Sequence, residues 1–146
     1  AWAMDIRPFR ESDAPAVIAL WHACALTRPW NDPAKDIARK LGVQRELFLV
    51  GETDGTLMAS VMVGYDGHRG WVNYLAVHPD HQRRGHGVRL MQQAEQGLLA
   101  LGCPKINMQI RTSNAQVLAF YRSLGYLPDD VVCMGKRLIP DQPPAA

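Results

Sequence analysis

Residues 75–87 read Leu75-Ala76-Val77-His78-Pro79-Asp80-His81-Gln82-Arg83-Arg84-Gly85-His86-Gly87. An apolar run ends at Val77, a proline-bearing loop turns, and a helical pattern opens. Val88, Met91, Ala94 or Glu95, Leu98 and Leu101 recur on one helix face, and Gly102 supplies a stop. Gly85 and Gly87 let the main chain approach a ligand with no Cβ in the way. Free N–H groups at a helix start, with the positive end of the dipole, favour an anion. Arg83 and Arg84 add positive charge, and a diphosphate is the natural occupant. The Gly-Lys-Ser/Thr ending of a triphosphate loop is absent. A dinucleotide fingerprint would need a third glycine and a parallel βαβ unit. What remains is Gln-x-x-Gly-x-Gly at Gln82, Gly85 and Gly87. On spacing alone, the same glycines could equally do no more than shape a tight turn into a helix.

Upstream of this segment the chain reads as an antiparallel meander. Glu46–Glu52 is an apolar strand, Asp54-Gly55 a hairpin signal, Leu57–Gly64 the returning strand, and Gly70–Val77 the next, after a turn at Asp66-Gly67. Further back, Asp5–Phe9 is a short strand. Ser12 or Asp13 can cap a helix carrying Val17, Leu20, Trp21 and Cys24 at helical spacing. Asp32 then suits an N-cap and Pro33 a first helical position, for a helix running to Leu41. Downstream, Lys105–Arg111 alternates as a strand, Val117, Phe120, Tyr121 and Leu124 mark a helix closed by Gly125, and Val131–Leu138 reads as a last strand. This order predicts a mixed α/β fold rather than a doubly wound parallel sheet.

The 146 residues suit one domain, expected over 4–139. Ala1-Trp2-Ala3 reads as a remnant ahead of a native start at Met4, and 140–146 as a flexible tail. A net charge of +2 gives no reason to expect nucleic acid or a membrane surface as partner. Cys24, Cys103 and Cys133 are odd in number and widely spaced, which predicts free thiols and a cytoplasmic location. His78, His81 and His86 with Asp80 suggest a metal, but glycines and arginines around them suit an anion better, so no metal is expected.

Two stretches, taken together, resemble the GNAT superfamily of N-acetyltransferases. Residues 75–87 are similar to its acetyl-CoA-binding motif, Q/R-x-x-G-x-G/A after the fourth strand. Asn114-Ala115-Gln116-Val117-Leu118-Ala119-Phe120-Tyr121-Arg122-Ser123-Leu124-Gly125-Tyr126 resembles its later motif, an Asn at a helix start and a Tyr on the helix, then Leu-Gly-aromatic. The similarity runs from Ile6 to Leu138. It is closest to small bacterial YpeA-type acetyltransferases, through Arg28-Pro29-Trp30-Asn31-Asp32-Pro33 and Tyr65-Asp66-Gly67-His68-Arg69-Gly70. More loosely, the chain is similar to enzymes that acetylate protein N-termini. The resemblance implies a mostly antiparallel sheet of six to seven strands flanked by about four helices, with a bulge splaying strands four and five apart.

It also implies roles. Acetyl-CoA is the cosubstrate and a peptide N-terminus or small-molecule amine the acceptor. The main chain of Leu75, Ala76 and Val77 would pair with the pantetheine arm, although these residues also read as plain core strand. The amides of Arg83, Arg84, Gly85, His86, Gly87 and Val88 would bind the diphosphate. Asn114 would reach the pantetheine, or serve only as an N-cap. Tyr121 would be the general acid: a phenol of pKa about 10 is protonated at neutral pH and can donate to a thiolate whose acid has pKa about 8.5. Trp30, Asn31, Tyr65, Tyr74 and Gln109 are candidates for the acceptor groove.

The N-terminal acetylating relatives carry a Glu on the fifth strand; the matching residue here is Gln109, which takes no proton. His68, Asp66, Glu52 or water are the remaining candidates for the base. A lysine acceptor is only about one part in a thousand neutral at pH 7.4, so freeing its amine costs about 4 kcal/mol, whereas an α-amine of pKa near 8 is neutral in roughly a fifth of molecules. A weak base therefore suits an acceptor amine of low pKa. The missing carboxylate leaves a non-catalytic acyl-CoA sensor as an alternative, and a homodimer is open.

Overall fold

The computed structural model describes residues 3–142. Five strands form one sheet in sequence order: β1 (Asp5–Pro8), β2 (Phe48–Thr53), β3 (Thr56–Tyr65), β4 (Gly70–Val77) and β5 (Ile106–Asn107). The first four are antiparallel neighbours, and β5 joins β4 in parallel. Helices α1 (Ala14–Ala23) and α2 (Pro33–Lys40) cover one face, α3 (His86–Ala100) and α4 (Ala115–Ser123) the other.

Coverage on both faces explains why β2 and β3 read as near-continuous apolar runs. Phe48 and Val50 point toward Val17, Leu20, Trp21 and Ile37. Leu49, Val61, Val63 and Val72 point the other way, toward Leu90, Met91, Ala94 and Leu98 of α3. The β2–β3 turn is the expected tight hairpin, with Asp54 at φ 51° and Gly55 at φ 76°, both left-handed. Asp32 caps α2 through bonds from the Ala34 and Lys35 amides, as its position ahead of Pro33 predicts. Asp13 does not cap α1: its carboxylate takes a two-pronged bond from Arg7 (2.8 and 2.9 Å) and one from the Arg10 amide.

The sheet has five strands where six to seven are expected. Of the alternating run Lys105–Arg111, only Ile106 and Asn107 pair with β4. The segment Val131–Leu138 forms no ladder, and Val131, Val132, Met134 and Leu138 are exposed. Side chains hold this segment instead. Lys105 grips Asp129, Gln109 donates to Cys133 Sγ, and Arg137 donates to Asn31 (2.7 Å). The expected tail at 140–146 is anchored at Asp141, which is buried. Its carboxylate accepts from Arg39 (2.6 Å), from the Asp32 amide (2.8 Å) and from Arg137 (3.0 Å). Residues 1–2 of the expected N-terminal remnant and 143–146 of the tail lie outside the described residues. All three cysteines are free, and no helix among the described residues is long and apolar enough to cross a membrane.

Candidate active site

The site begins with a fault in β4. Ser60 pairs with Ala76 and Met62 with Asn73, so Tyr74 and Leu75 together face the single residue Val61. That is a β-bulge, and Tyr74 takes its extra turn at φ 52°, a conformation rare for an aromatic residue. Four contacts hold it there. The buried Trp21 indole N–H donates to Ser60 Oγ (2.9 Å), and the Ser60 hydroxyl donates to the Tyr74 carbonyl (2.9 Å). The Tyr74 ring stacks on Trp21 at 3.8 Å and its hydroxyl donates to Asp36 Oδ2 (2.7 Å). Burial, then the Asp36 carboxylate, pushes the Tyr74 phenol well above its ordinary range. The ladder between β4 and β5 ends at Trp71–Asn107, three residues before Tyr74.

The gap between them is a cavity of about 700 Å³. Its walls include Asn73, Tyr74 and Leu75 of β4, Met108 to Arg111 after β5, Asn114, Val117 and Tyr121 at α4, and Asp36, Arg39 and Lys40 of α2. A volume of this size admits an extended thioester arm and a small second molecule.

Just past β4 lies the glycine loop. Gln82 donates its side-chain amide to the Val77 carbonyl (3.0 Å), tying the loop to the end of the strand. Arg83 (φ 64°) and Gly85 (φ 79°) are both left-handed, so the chain turns sharply twice before α3 begins. Gly85 has nothing within 4 Å of where a Cβ would stand, so conformation alone demands glycine there. Gly87 packs closely on α4: a Cβ there would lie 3.2 Å from the Phe120 ring, which would have to shift by a few tenths of an ångström. The amides from Gly85 to Val88 are those a helix start leaves without intrahelical acceptors. His86 is buried beneath the loop, with Nδ1 unpartnered, and burial lowers its pKa. Its imidazole is therefore neutral, and its main-chain N–H is what it offers an anion.

Asn114 caps α4, accepting from the Val117 amide (3.2 Å), and also lines the cavity. Tyr121 sits on the buried face of α4, in edge-to-face contact with Phe120 (5.1 Å) and Tyr126 (5.7 Å). The helix ends in paired bonds from Tyr126 to the Tyr121 carbonyl and from Gly125 to that of Arg122, with Gly125 at φ 93°, a Schellman closure. Burial, then neighbouring Tyr126, drives the Tyr121 phenol well above its ordinary pKa. It holds its proton across the working pH range.

Of the residues singled out by sequence, Leu75, Asn114, Tyr121, Asn31, Tyr74 and Gln109 reach the cavity. Ala76 is core, under α1. Val77 carries its carbonyl to Gln82 and Cys24. Trp30 is 54% exposed and lies over the Arg111 guanidinium at 5.8 Å rather than in the cavity wall. Tyr65 lies outside the cavity wall: its N–H donates to Gln44 and its hydroxyl to the Gly67 carbonyl. The candidates for the base do not reach the cavity. Asp66 folds its own hairpin, accepting from the amides of His68 and Arg69, which hold its carboxyl below the usual range. His68 is exposed on the same turn. Glu52 pairs with Arg7 at the β1 edge. Among the described residues the one carboxylate in the cavity wall is Asp36, which sequence reading missed: on a short polar helix it looks like any first-turn acid.

The family model described as the acetyltransferase (GNAT) family matches residues 15–126. An acetyltransferase of Yersinia pestis is 51% identical over 139 residues, spanning 95% of this chain and 99% of that one. Ard1 from Thermoplasma volcanium superposes with a TM-score of 0.75 at 23% identity, over 86% of this chain and 83% of the other. The PaiA N-acetyltransferase from Thermoplasma acidophilum, solved in complex with coenzyme A, gives a TM-score of 0.70 at 17% identity, over 89% and 93%.

Proposed function

The chain belongs to the acetyltransferase (GNAT) family, and we propose that it transfers the acetyl group of acetyl-CoA to an amine of low pKa by direct attack, both substrates being bound together. The observation that carries this reading is the cavity opened by the Tyr74 bulge, with the glycine loop beside it and the Tyr121 side chain in its wall. In the reading, amides at the start of α3 take the diphosphate, and the unpaired edge of β4 takes the pantetheine arm. The coenzyme A bound by the Thermoplasma acidophilum neighbour lends support to that donor.

The amine lone pair attacks the thioester carbon, the C–S bond breaks, and the electron pair leaves on sulfur. Tyr121 gives the sulfur its proton. Because the phenol is held above its ordinary pKa, handing its proton to a finished thiolate would run uphill, so the transfer accompanies C–S cleavage. The new amide sheds its extra proton to water and Tyr121 is reprotonated from the same source. No strong base is then needed, provided that the amine enters neutral, which a low-pKa acceptor does.

Thiol release from acetyl-CoA, measured against a panel of amino acids, peptides, polyamines and aminoglycosides, tests this function. Saturable release with some amine, lost in Tyr121→Phe, is the expected result. Tight acetyl-CoA binding without release on any amine would leave only an acyl-CoA sensor.

A further inference from the structure

We infer that the acceptor amine also carries a carboxylate, held by Arg28 and Arg111 at the wall of the cavity. This rests on the reading above and concerns the substrate of the same site.

Among the described residues the cavity wall contains four cations, Arg28, Arg39, Lys40 and Arg111, and a single carboxylate, Asp36. Two of the cations are accounted for by the fold. Arg39 pairs with the buried Asp141 at 2.6 Å and with Asp36 at 3.4 Å. The Lys40 ammonium is buried and donates to the Val63 carbonyl. The two others meet no carboxylate among the described residues. Arg28 uses one terminal nitrogen, Nη1, on the Ala25 and Thr27 carbonyls (2.8 and 2.9 Å), which leaves Nη2 and Nε for another acceptor. The Arg111 guanidinium carbon lies over the Trp30 ring, 5.8 Å from its centroid, and among the described residues none of the guanidinium N–H groups is spent on a hydrogen bond. A planar, fixed fork of donors suits a carboxylate in two-pronged geometry.

The donor does not explain these charges. The part of acetyl-CoA that would enter between β4 and β5 is its uncharged arm. No residue of the loop 82–87, which would hold the diphosphate, lines this cavity. Positive charge here also acts on the acceptor's other end. Cations near an amine disfavour its protonated form, so the wall that attracts a carboxylate selects the neutral, nucleophilic amine. A polyamine or a lysine-rich peptide would be repelled. A carboxylate on the acceptor meets the two arginines and, once paired with them, no longer raises the basicity of the neighbouring amine.

The test compares L-alanine, L-leucine, L-phenylalanine and L-glutamate with the carboxamide of each as acceptors for the full chain with acetyl-CoA. The carboxamide amine is the less basic of each pair, so intrinsic reactivity favours it. The expected result is a kcat/KM at least tenfold higher for the free acid of at least one pair. Arg111→Gln and Arg28→Gln should each lower that acid-to-amide ratio by about tenfold, chiefly through KM, and Arg111→Lys should keep part of it. High salt should lower the wild-type ratio, which tests the proposal even if the variants fold poorly. Carboxamides or polyamines accepted as well as every free acid would overturn it, as would variants that depress acid and amide equally. Loss of acetyl-CoA binding by the wild type would instead defeat the acetyltransferase reading, and this inference with it.

Discussion

Two seams in the same sheet behave in opposite ways. β2 and β3 are joined over six residue pairs, β4 and β5 over two. At the first seam, apolar side chains alternate onto helices on both faces, so a slip of one residue would turn Phe48 and Val50 away from Trp21 and Leu49 toward it. Register there is enforced by the whole core. At the second seam pairing stops at Trp71–Asn107, and three residues further on the left-handed Tyr74 bulges β4 out of register with β3, held there by a few polar contacts: Trp21 to Ser60, Ser60 to the Tyr74 carbonyl, Tyr74 to Asp36. The closed seam carries stability; the open one carries the cavity. Strain at the opening is tolerated because the surrounding core over-determines it.

The sharpest way to probe the open seam is at its chemistry. Tyr121→Phe keeps the ring packing against Phe120 and Tyr126 and removes only the proton donor. Turnover should fall roughly 100-fold or more while acetyl-CoA affinity stays within about twofold; steady-state kinetics with parallel calorimetry checks both.

The next effect is on the bulge itself. Ser60→Ala leaves the Trp21 indole N–H and the Tyr74 carbonyl without their partner in a buried setting. Loss of about 1–3 kcal/mol is expected, or roughly 4 °C in Tm for each kcal/mol, with a further fall in turnover as β4 closes toward β5. An equally destabilising cut at the closed seam, such as Val50→Ala, should lower Tm with kcat intact at temperatures where the protein remains folded.

A smaller effect, graded by pH, is expected at Asp141. Arg39 chiefly, with the Asp32 amide, holds its carboxyl well below the usual carboxylate range. A depressed folded-state pKa gives stability that is fully present above the unfolded value, about 3.9, and that disappears as pH falls through the depressed one. Asp141→Asn should therefore lower Tm at pH 7 and flatten the wild-type decline in Tm below pH 4. A thermal melt series from pH 7 to pH 2 reads this out.

The smallest effect is expected on the β3–β4 turn. His68→Ala should change kcat/KM by less than about threefold, since the residue lies outside the cavity wall. A loss of 50-fold with the pH-rate profile shifted would return His68 to the chemistry.

What could be read from sequence follows the same division. Asp54-Gly55, Asp32-Pro33 and Asn114 specify their turns and caps locally, and each acts in the structure as its residue type predicts. The strand Gly70–Val77 has the bounds that its pattern indicates. The failures are questions of partnership. Alternation in Lys105–Arg111 and apolarity in Val131–Leu138 describe side chains, and neither reveals whether a neighbouring strand lies within hydrogen-bonding reach. Asp141 sits among prolines and looks like a fraying end, yet its partners Arg39 and Asp32 are about a hundred positions away in sequence. The family resemblance implies a bulge, but nothing local in Asn73-Tyr74-Leu75 marks Tyr74 as its left-handed residue. Its stabilisers are tertiary. Arg111 and Arg28 were equally illegible, since an arginine's lack of a carboxylate partner shows only when the chain is folded.

The glycine loop and the open seam together should form one site for one ligand. Isothermal titration of the full chain with acetyl-CoA measures this directly. A single saturable event with a dissociation constant of about 1–100 μM, competed by coenzyme A, is the expected result. No heat with either ligand at millimolar concentration would contradict it.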